Sequence, residues 1–183
     1  MGLADGMTGQ IDAAIAQLER RREQLRVASG PAERLAARIG GTLPLVYGGG
    51  ALGEVAAWRW KGQFNENPKV PAFCNRIPEL THNELAGWAQ HGDVTRQVLT
   101  MVHLRHDFEH PNVSRRFDFV ASVCDEVVAD IHTVRAEGDG RLAQLMDLVL
   151  QGDLVTLHLA ARAGVHPCPI AVLDHLKEWL RNA

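Results

Sequence analysis

An acidic and an imidazole side chain lie on either side of one short apolar run in the sequence. The run is VPAFC (70–74); Glu66 precedes it within the triplet NEN, and His82 follows it within the tetrad THNE. A carboxylate and an imidazole are the usual pair for moving protons at carbon and at sugar oxygens. Each residue also has a simpler interpretation, since Glu66 could be a turn acid at a helix end and His82 a polar first-turn residue. Proton transfer is therefore a hypothesis that the rest of the sequence has to support.

The tetrad THNE also fits a helix-capping pattern. Thr81 and Glu84 stand three residues apart, as in the S/T-x-x-E capping box that satisfies free backbone N–H groups at a helix start. Capping explains Glu84 fully, so we assign it no chemistry.

Lys177 falls within the apolar face of the last predicted helix. At about 100° per residue, the apolar side chains of that helix span an arc of about 120°, and Lys177 lies inside it. These side chains are Ile170, Leu173, Leu176 and Leu180. An ammonium group on an apolar face either extends to its rim or points into a polar pocket, and the spacing favours neither alternative.

A run of three glycines, Gly48-Gly49-Gly50, follows a strand-like segment and leads into a helical one. Glycines at such a position let the backbone approach an anion, which the helix N-terminus also favours. A plain tight turn is the alternative, because the run matches neither the dinucleotide fingerprint nor a P-loop. His103, His106 and His110 fit no metal-ligand spacing, so we expect no metal and no cofactor.

Apolar, strand-like segments alternate with helical ones along the chain. The predicted strands are 43–47, 70–74, 97–105 and 127–136. The predicted helices are 11–25, 31–39, a glycine turn and helix over 48–64, one starting near Thr81, 114–127, 142–164 with an interruption near Gly152, and 169–180. This alternation, with nearly all-apolar strands, predicts a parallel sheet covered by helices on both faces.

The first predicted helix has an apolar stripe and a charged outer face. The stripe is formed by Ile11, Ala14, Ile15, Leu18 and Leu25, and the charged run ERRRE (19–23) is interpreted as solvent-exposed. Residues 1–9 are glycine-rich and expected to be loose.

Composition limits the class of protein. The 183 residues favour a single domain, and the net charge of −3 argues against a nucleic-acid surface. Three widely spaced cysteines without a CxxC pair are typical of a reducing compartment. We see no signal-peptide h-region and no apolar run near the ~20 residues of a membrane span. We therefore expect a cytoplasmic protein without nucleic-acid or membrane partners.

Several stretches together resemble one known family. LPLVYGGGALGEVAAWRWKGQFNENPKVPAF, then IPELTHNELAGW, then LVLQGDLVTLHLAARAGVHPCP and HLKEWL resemble the C-terminal half of bifunctional phosphoglucose/phosphomannose isomerases. These proteins are built on the sugar isomerase (SIS) fold. The resemblance covers most of the chain from Leu43 onward, and NEN followed by PELxHNE is its most specific part.

The resemblance implies a three-layer α/β/α sandwich with a mainly parallel sheet, and a homodimer. It implies isomerisation of glucose 6-phosphate or mannose 6-phosphate to fructose 6-phosphate through a cis-enediolate. By the same resemblance, Glu66 corresponds to the base, and His82 corresponds to the ring-opening histidine that the family supplies across the dimer. Lys177 corresponds to the C-terminal lysine near the sugar hydroxyls. The resemblance also implies a sugar phosphate as the ligand. We assign four substrate-binding residues to it: Gly48, Gly49, Asn65 and Asn67.

The chain departs from the family in one major respect, because the Ser/Thr-rich motif with which the family's N-terminal half grips the phosphate is missing. By the resemblance, we expect residues 1–40 to correspond to an inter-domain helical segment and 41–183 to form the SIS domain. Because of the missing motif, we expect either a fragment of a longer chain, with an N-terminal SIS half as partner, or a lone domain that has lost that half. The alternative is a non-catalytic sugar-phosphate-binding or dimerisation module. A transcription-linked SIS regulator is disfavoured by the lack of a DNA-binding motif.

Overall fold

A four-stranded parallel sheet forms the centre of the computed structural model, which describes residues 7–182. The strands are β1 (Leu43–Gly49), β2 (Phe73–Ile77), β3 (Leu99–Arg105) and β4 (Asp130–Arg135), in the order β2-β1-β3-β4. β1 and β3 are almost fully buried, as expected for the inner strands of a covered sheet, although β3 includes the polar residues Thr100, His103 and Arg105. β2 and β4 form the two edges.

Eight helices surround the sheet within the described residues. They are α1 (Met7–Leu25), α2 (Pro31–Ile39), α3 (Gly50–Glu66), α4 (Glu84–Gly87), α5 (Gly92–Val98), α6 (Pro111–Cys124), α7 (Arg141–Ala163) and α8 (Ala171–Arg181). A further 3₁₀ turn spans Glu79–His82. No helix among residues 7–182 combines the length and hydropathy that a membrane crossing requires.

Two apolar cores, one on each face of the sheet, give the molecule three layers. Val46 and Val102 point to the face that α1, α2, α3 and α7 cover, where Trp60 of α3 is fully buried. The alternate residues, such as Tyr47 and Met101, point to the face covered by α6 and the segment after β2. The α/β/α sandwich expected from the sequence is confirmed.

The second strand lies further along the chain than expected. It spans Phe73–Ile77 rather than 70–74, because the backbone N–H of Val70 donates to the Phe64 carbonyl oxygen in a turn. Pairing with β1 begins only at Phe73, opposite Leu45. Phe73 is 53% exposed, so β2 is an edge strand and not the buried strand that its apolar neighbours indicated.

Other boundaries also shift, by a few residues each. β3 begins at Leu99 rather than 97 and β4 at Asp130 rather than 127, because helical turns occupy the residues before them. α6 begins earlier, at Pro111, where His110 accepts the backbone N–H of Asn112. α8 begins at Ala171, with Pro169 outside the helix.

The expected interruption of the long helix near Gly152 is wrong. α7 is continuous from Arg141 to Ala163, and Gly152 serves close packing instead. A Cβ at this position would lie 2.5 Å from the indole nitrogen of Trp60, which itself donates to the Leu148 carbonyl oxygen at 2.7 Å.

The interpretation of the first helix needs three corrections. α1 already begins at Met7, so residues 7–9, which were expected to be loose, are helical. Residues 1–6, which belong to the expected loose start and to the expected N-terminal segment, lie outside the described residues. Arg21, in the run taken as solvated, is buried, and its Nε donates to Asp147 of α7 at 2.8 Å. Ile11 and Ile15 of the predicted stripe are instead exposed.

Candidate functional site

Glu66 is the last residue of α3, in a turn that its two neighbouring asparagines brace. The Asn65 side chain donates to the Val70 carbonyl oxygen at 2.9 Å, and the Asn67 side chain donates to the Thr156 hydroxyl on α7 at 2.9 Å. The side chain of Glu66 remains exposed. The structure thus brings the NEN triplet together as one braced turn that presents a carboxylate to solvent.

Lys69 is a residue of this turn that the sequence analysis missed. Its ammonium group donates to the Glu66 carbonyl oxygen at 2.6 Å and to the Pro167 carbonyl oxygen at 2.7 Å. Since Pro167 lies shortly before α8, Lys69 ties the start of the last helix to the turn that carries Glu66. A lysine three residues after Glu66 was the only sequence signal, and only a long-range contact gives it this role.

His82 ends the 3₁₀ turn after β2, and its side chain is exposed. Leu80, which is fully buried, anchors this turn to the core. The predicted capping box is wrong, because Thr81 donates to the Pro78 carbonyl oxygen and the Asn83 side chain accepts the Glu84 backbone N–H.

Glu84 has a different role from capping. It accepts hydrogen bonds from the hydroxyl of Tyr47 on β1 and from the side chain of Asn75 on β2, the latter at 2.5 Å. Burial, together with the neighbouring Glu84 carboxylate, raises the pKa of Tyr47, so its hydroxyl stays protonated and donates. Glu84 thereby fixes the segment carrying His82 to two strands.

Glu66 and His82 lie at opposite ends of the sheet within one chain. β1 and β2 are parallel, and α3 returns from the carboxyl end of β1 toward the amino end of β2. The five residues of β2 therefore separate the Glu66 turn from the His82 turn, by roughly 16 Å at ~3.3 Å per residue. The two side chains do not converge within one chain.

The glycine run lies at the carboxyl end of β1, which is the same end of the sheet as His82. α3 separates it from Glu66 by 17 residues, or roughly 25 Å at ~1.5 Å per residue. Gly48 needs to be glycine because a Cβ there would lie 2.0 Å from the Gly53 carbonyl oxygen. A Cβ on Gly49 would lie 2.9 Å from the Glu109 carboxylate, which occupies the space beside it.

The Glu109 carboxylate belongs to a buried ion pair at the ends of β1 and β3. Arg105 contacts it at 2.8 Å, and the backbone N–H of His106 donates to it at 3.0 Å. Both side chains are almost completely buried, at 6% and 5% exposure. The place where an open parallel sheet usually binds an anion is thus filled by the chain's own carboxylate.

Lys177 is exposed, and its ammonium group donates to Asp174 on the same helix at 3.0 Å. Among residues 171–181 of α8 none is buried, so the apolar arc predicted for this helix faces solvent within the chain. The role of Lys177, like those of the other site residues, stays a prediction.

The three histidines considered for a metal lie in separate environments. His103 is buried between the rings of Tyr47 and Phe117, His106 bonds to the Gly49 carbonyl oxygen at 2.8 Å, and His110 caps α6. Among residues 7–182, no group of three or more His, Cys, Asp or Glu side chains is placed to hold a metal ion.

Known proteins resemble this chain along nearly its whole length. Residues 28–180 match the family model described as the bacterial phospho-glucose isomerase C-terminal SIS domain. The bifunctional phosphoglucose/phosphomannose isomerase of Caldicellulosiruptor bescii is 32% identical over 187 residues, covering 98% of this chain and 54% of that protein. The enzyme of the same description from Aquifex aeolicus is 31% identical over 164 residues, covering 90% of this chain and 50% of that protein.

Among solved structures, a glucose-6-phosphate isomerase like protein from Thermus thermophilus superimposes with a TM-score of 0.74. It is 23% identical, and the match covers 96% of this chain and 58% of that one, which supports the fold. The chain spans about half the length of the curated relatives it matches, at 54% and 50%. From the family match and these identities, the chain belongs to the bacterial phosphoglucose isomerase C-terminal SIS-domain family.

Proposed function

We propose that this chain is the C-terminal half of an aldose–ketose isomerase that interconverts glucose 6-phosphate or mannose 6-phosphate with fructose 6-phosphate. The reaction removes a proton next to a carbonyl and returns it to the neighbouring carbon through a cis-enediolate. Glu66 is the base, His82 opens the sugar ring, and Lys177 lies near the substrate hydroxyls. No cofactor takes part.

The placement of Glu66 and His82 at the two ends of an exposed edge strand carries this proposal. A twofold axis that passes the outer edge of β2 perpendicular to the strand sets the amino end of one strand beside the carboxyl end of the other. Glu66 then approaches the histidine at position 82 of the second copy, and the symmetry creates this pair twice. A homodimer therefore assembles two sites from residues that one chain holds apart.

Exposed apolar residues on both sides of β2 support an interface at this edge. Trp58 of α3, which lines a small cleft with Cys74 and Asn75 of β2, is 60% exposed, and Phe73 on the opposite face of β2 is 53% exposed. We call these two residues the β2-edge patch. Exposed large apolar side chains that cluster at one edge are typical of protein–protein interfaces.

The chemistry depends on the site becoming enclosed. A carboxylate abstracts a weakly acidic carbon-bound proton when water is excluded and the developing oxyanion is stabilised. Glu66 is exposed in the single chain, so the partner surface and α8 provide that enclosure. The link from Lys69 to Pro167 supports this arrangement, because it holds the segment just before α8, the helix that carries Lys177, beside the Glu66 turn.

The phosphate group of the substrate is held by an N-terminal SIS half in the longer chain. The buried Arg105–Glu109 pair supports this division, since it fills the anion position beside Gly49 in the present half. The substrate-binding roles of Gly48 and Gly49 are thus limited to backbone contacts at the His82 end of the sheet, whereas Asn65 and Asn67 hold the turn at the Glu66 end.

A non-catalytic sugar-phosphate-binding or dimerisation module is the second candidate. The exposure of Lys177 and its pairing with Asp174 favour it, because neither engages a site in the single chain. Such a module would keep its shape and partners when Glu66 and His82 are changed.

Mixed dimers test the proposal directly. Glu66→Gln and His82→Gln are each prepared on this chain joined to a phosphate-binding SIS half, and fructose 6-phosphate isomerisation is measured in a coupled assay. Each variant alone should lose at least about 100-fold in turnover, as expected for a proton-transfer group.

Mixing the two variants should restore about a quarter of the wild-type rate, because half of the random dimers contain one intact site. Full activity in either variant alone would remove that residue from the mechanism. A mixture that stays inactive although mixed dimers form would contradict the shared site, and an inactive wild type would favour the second candidate.

A further inference from the structure

The turn that carries His82 is held in place by its neighbours rather than by the histidine. Leu80 is fully buried in the core. Thr81 accepts a hydrogen bond from Arg116 of α6 and donates to the Pro78 carbonyl oxygen at 2.6 Å. His82 itself is exposed. The backbone on the amino side of the histidine is thus fixed, while the imidazole faces solvent.

Glu84 fixes the carboxyl side of the same turn to two strands at once. Tyr47 of β1 and Asn75 of β2 are directly opposite each other in the parallel register, so their side chains lie side by side on one face of the sheet. The Tyr47 hydroxyl donates to one oxygen of the Glu84 carboxylate, and the Asn75 side chain donates to the other oxygen at 2.5 Å. Each carboxylate oxygen therefore has a donor from a different strand.

Tyr47 makes this contact depend on the position of Glu84. Its side chain is fully buried, and its ring stacks on that of His103 with the centroids 6.0 Å apart. A buried hydroxyl that loses its acceptor destabilises the protein, so the native state keeps the Glu84 carboxylate at this point. Because Glu84 follows His82 by two residues, the core of the protein also specifies where the histidine lies.

Such support matters for a side chain that transfers protons. The imidazole has to lie within hydrogen-bond reach of the atom it serves, and a displacement of about 1 Å can lower the rate by about 100-fold. Groups that act on a substrate are held closely enough only when neighbouring residues fix the segment that carries them. The Glu84 contacts provide this support for an otherwise exposed turn.

We propose that Glu84 is a positioning residue for His82, because it holds the histidine's turn to β1 and β2 through Tyr47 and Asn75. The inference rests on the proposed isomerase function and assigns Glu84 to the histidine's half of the shared site. A carboxylate that stabilised only the fold would affect both halves of that site equally.

Mixed dimers show which half of the site Glu84 serves, with this chain again joined to a phosphate-binding SIS half. Glu84→Ala alone should lower turnover about tenfold, as expected for a displacement of less than about 1 Å. Mixed with Glu66→Gln, it should recover about a quarter of the wild-type rate, because each mixed dimer contains one site without a defect. Mixed with His82→Gln, it should recover only about a twentieth, because every remaining histidine then lies in a turn without its anchor.

Hydrogen exchange of the same protein, followed by mass spectrometry, gives a readout that does not depend on activity. Glu84→Ala should speed the exchange of backbone N–H groups over residues 79–88 by about tenfold or more, and should leave the Glu66 turn unchanged. Tyr47→Phe removes only the hydroxyl and should cause the same changes in exchange and mixing to a smaller degree.

The matched control is Asp130→Ala at the opposite edge of the sheet, which removes a carboxylate that accepts two hydrogen bonds from Arg38 of α2. This variant should change neither the mixing pattern nor the exchange over residues 79–88.

Unchanged exchange over residues 79–88 in Glu84→Ala would overturn the positioning role, whether or not the protein is active. Equal recovery with Glu66→Gln and with His82→Gln would also overturn it. An inactive wild type in which Glu84→Ala still speeds the exchange would contradict the proposed function, and would reduce Glu84 to a structural anchor of the turn.

Discussion

Asp147 on α7 shows how a single buried residue joins distant parts of this chain. Its carboxylate accepts hydrogen bonds from Gln17 and Arg21 of α1, from Gln151, and from the backbone N–H of Glu137. The carboxylate is completely buried, so each of these donors replaces water that the ion has lost. This network holds α1 against the domain and explains why an arginine from a charged run lies in the interior.

His103 should make the stability of the fold depend on pH. Burial, and to a lesser extent the charge of Arg105, lowers the pKa of His103 to about 4. The unfolded chain binds a proton at this residue below about pH 6.5, whereas the native state stays neutral down to about 4. The free energy of unfolding should therefore fall as the pH drops through this range, by up to about 1.4 kcal/mol per pH unit from this residue.

Urea denaturation of wild type and His103→Gln between pH 4 and 8 measures this contribution. The variant should show a flatter pH dependence below about pH 6.5. The matched control is Val120→Ala in the same core cluster, which should lower the stability at every pH by a similar amount. An unchanged slope in His103→Gln would show that this histidine is not the residue that responds.

At the scale of elements, the contact between α3 and α7 depends on a glycine that looked like a helix break. Gly152 lets the Trp60 indole lie against the α7 backbone, where its N–H bonds to Leu148. One glycine lowers the stability of a helix by only ~1 kcal/mol, which is small compared with the free energy gained by burying a tryptophan. Helix α7 therefore continues through Gly152 without an interruption.

Gly152→Ala should therefore destabilise the protein, by about 2 kcal/mol, through overpacking and loss of the indole hydrogen bond. The control is Gly62→Ala in α3, where an added Cβ meets nothing within 4 Å. That change should stabilise the protein by up to about 1 kcal/mol, because alanine loses less backbone entropy in a helix. Urea denaturation followed by tryptophan fluorescence compares both variants, and equal effects would contradict the packing role of Gly152.

At the scale of the whole molecule, two exposed apolar surfaces are the regions that the proposed assembly would cover. The β2-edge patch is exposed, and α8 has no buried residue over 171–181 although Leu173, Leu176 and Leu180 form an apolar stripe on it. Because the relatives are about twice as long, at 54% and 50% coverage, an N-terminal half and a second copy are the proposed partners of these surfaces.

Phe73→Asp should weaken self-association at least tenfold, because a charge at the β2 edge would have to be desolvated in the proposed dimer. Sedimentation velocity of the 20.1 kDa chain over a range of concentrations gives the dissociation constant. The control is Phe119→Asp, which changes a similarly exposed phenylalanine (59%) on helix α6 rather than on the edge strand, and should leave association unchanged. A dimer that tolerates Phe73→Asp, or a wild type that stays monomeric, would contradict the proposed interface.

The sequence by itself determined the fold class, the family and the residue types available for chemistry. Apolar strands alternating with helices specified the α/β/α sandwich, and the NEN and PELxHNE motifs identified the SIS domain, since both depend on local patterns. Only the tertiary structure decided the location of β2, the burial of Arg21 and the role of Glu84. Each of these depends on partners distant in the chain, such as Asp147 for Arg21 at a separation of 126 residues.

Tertiary structure also decided where the candidate site residues lie relative to one another. Glu66 and His82 look like neighbours across a short strand, but strand direction sends them to opposite ends of the sheet. The reason is geometric: a helix that follows one parallel strand must return to the amino end of the sheet before the next strand begins. Residue type and spacing therefore suggest the chemistry, while chain direction keeps Glu66 and His82 apart within one chain. In the proposed dimer they would meet between two copies.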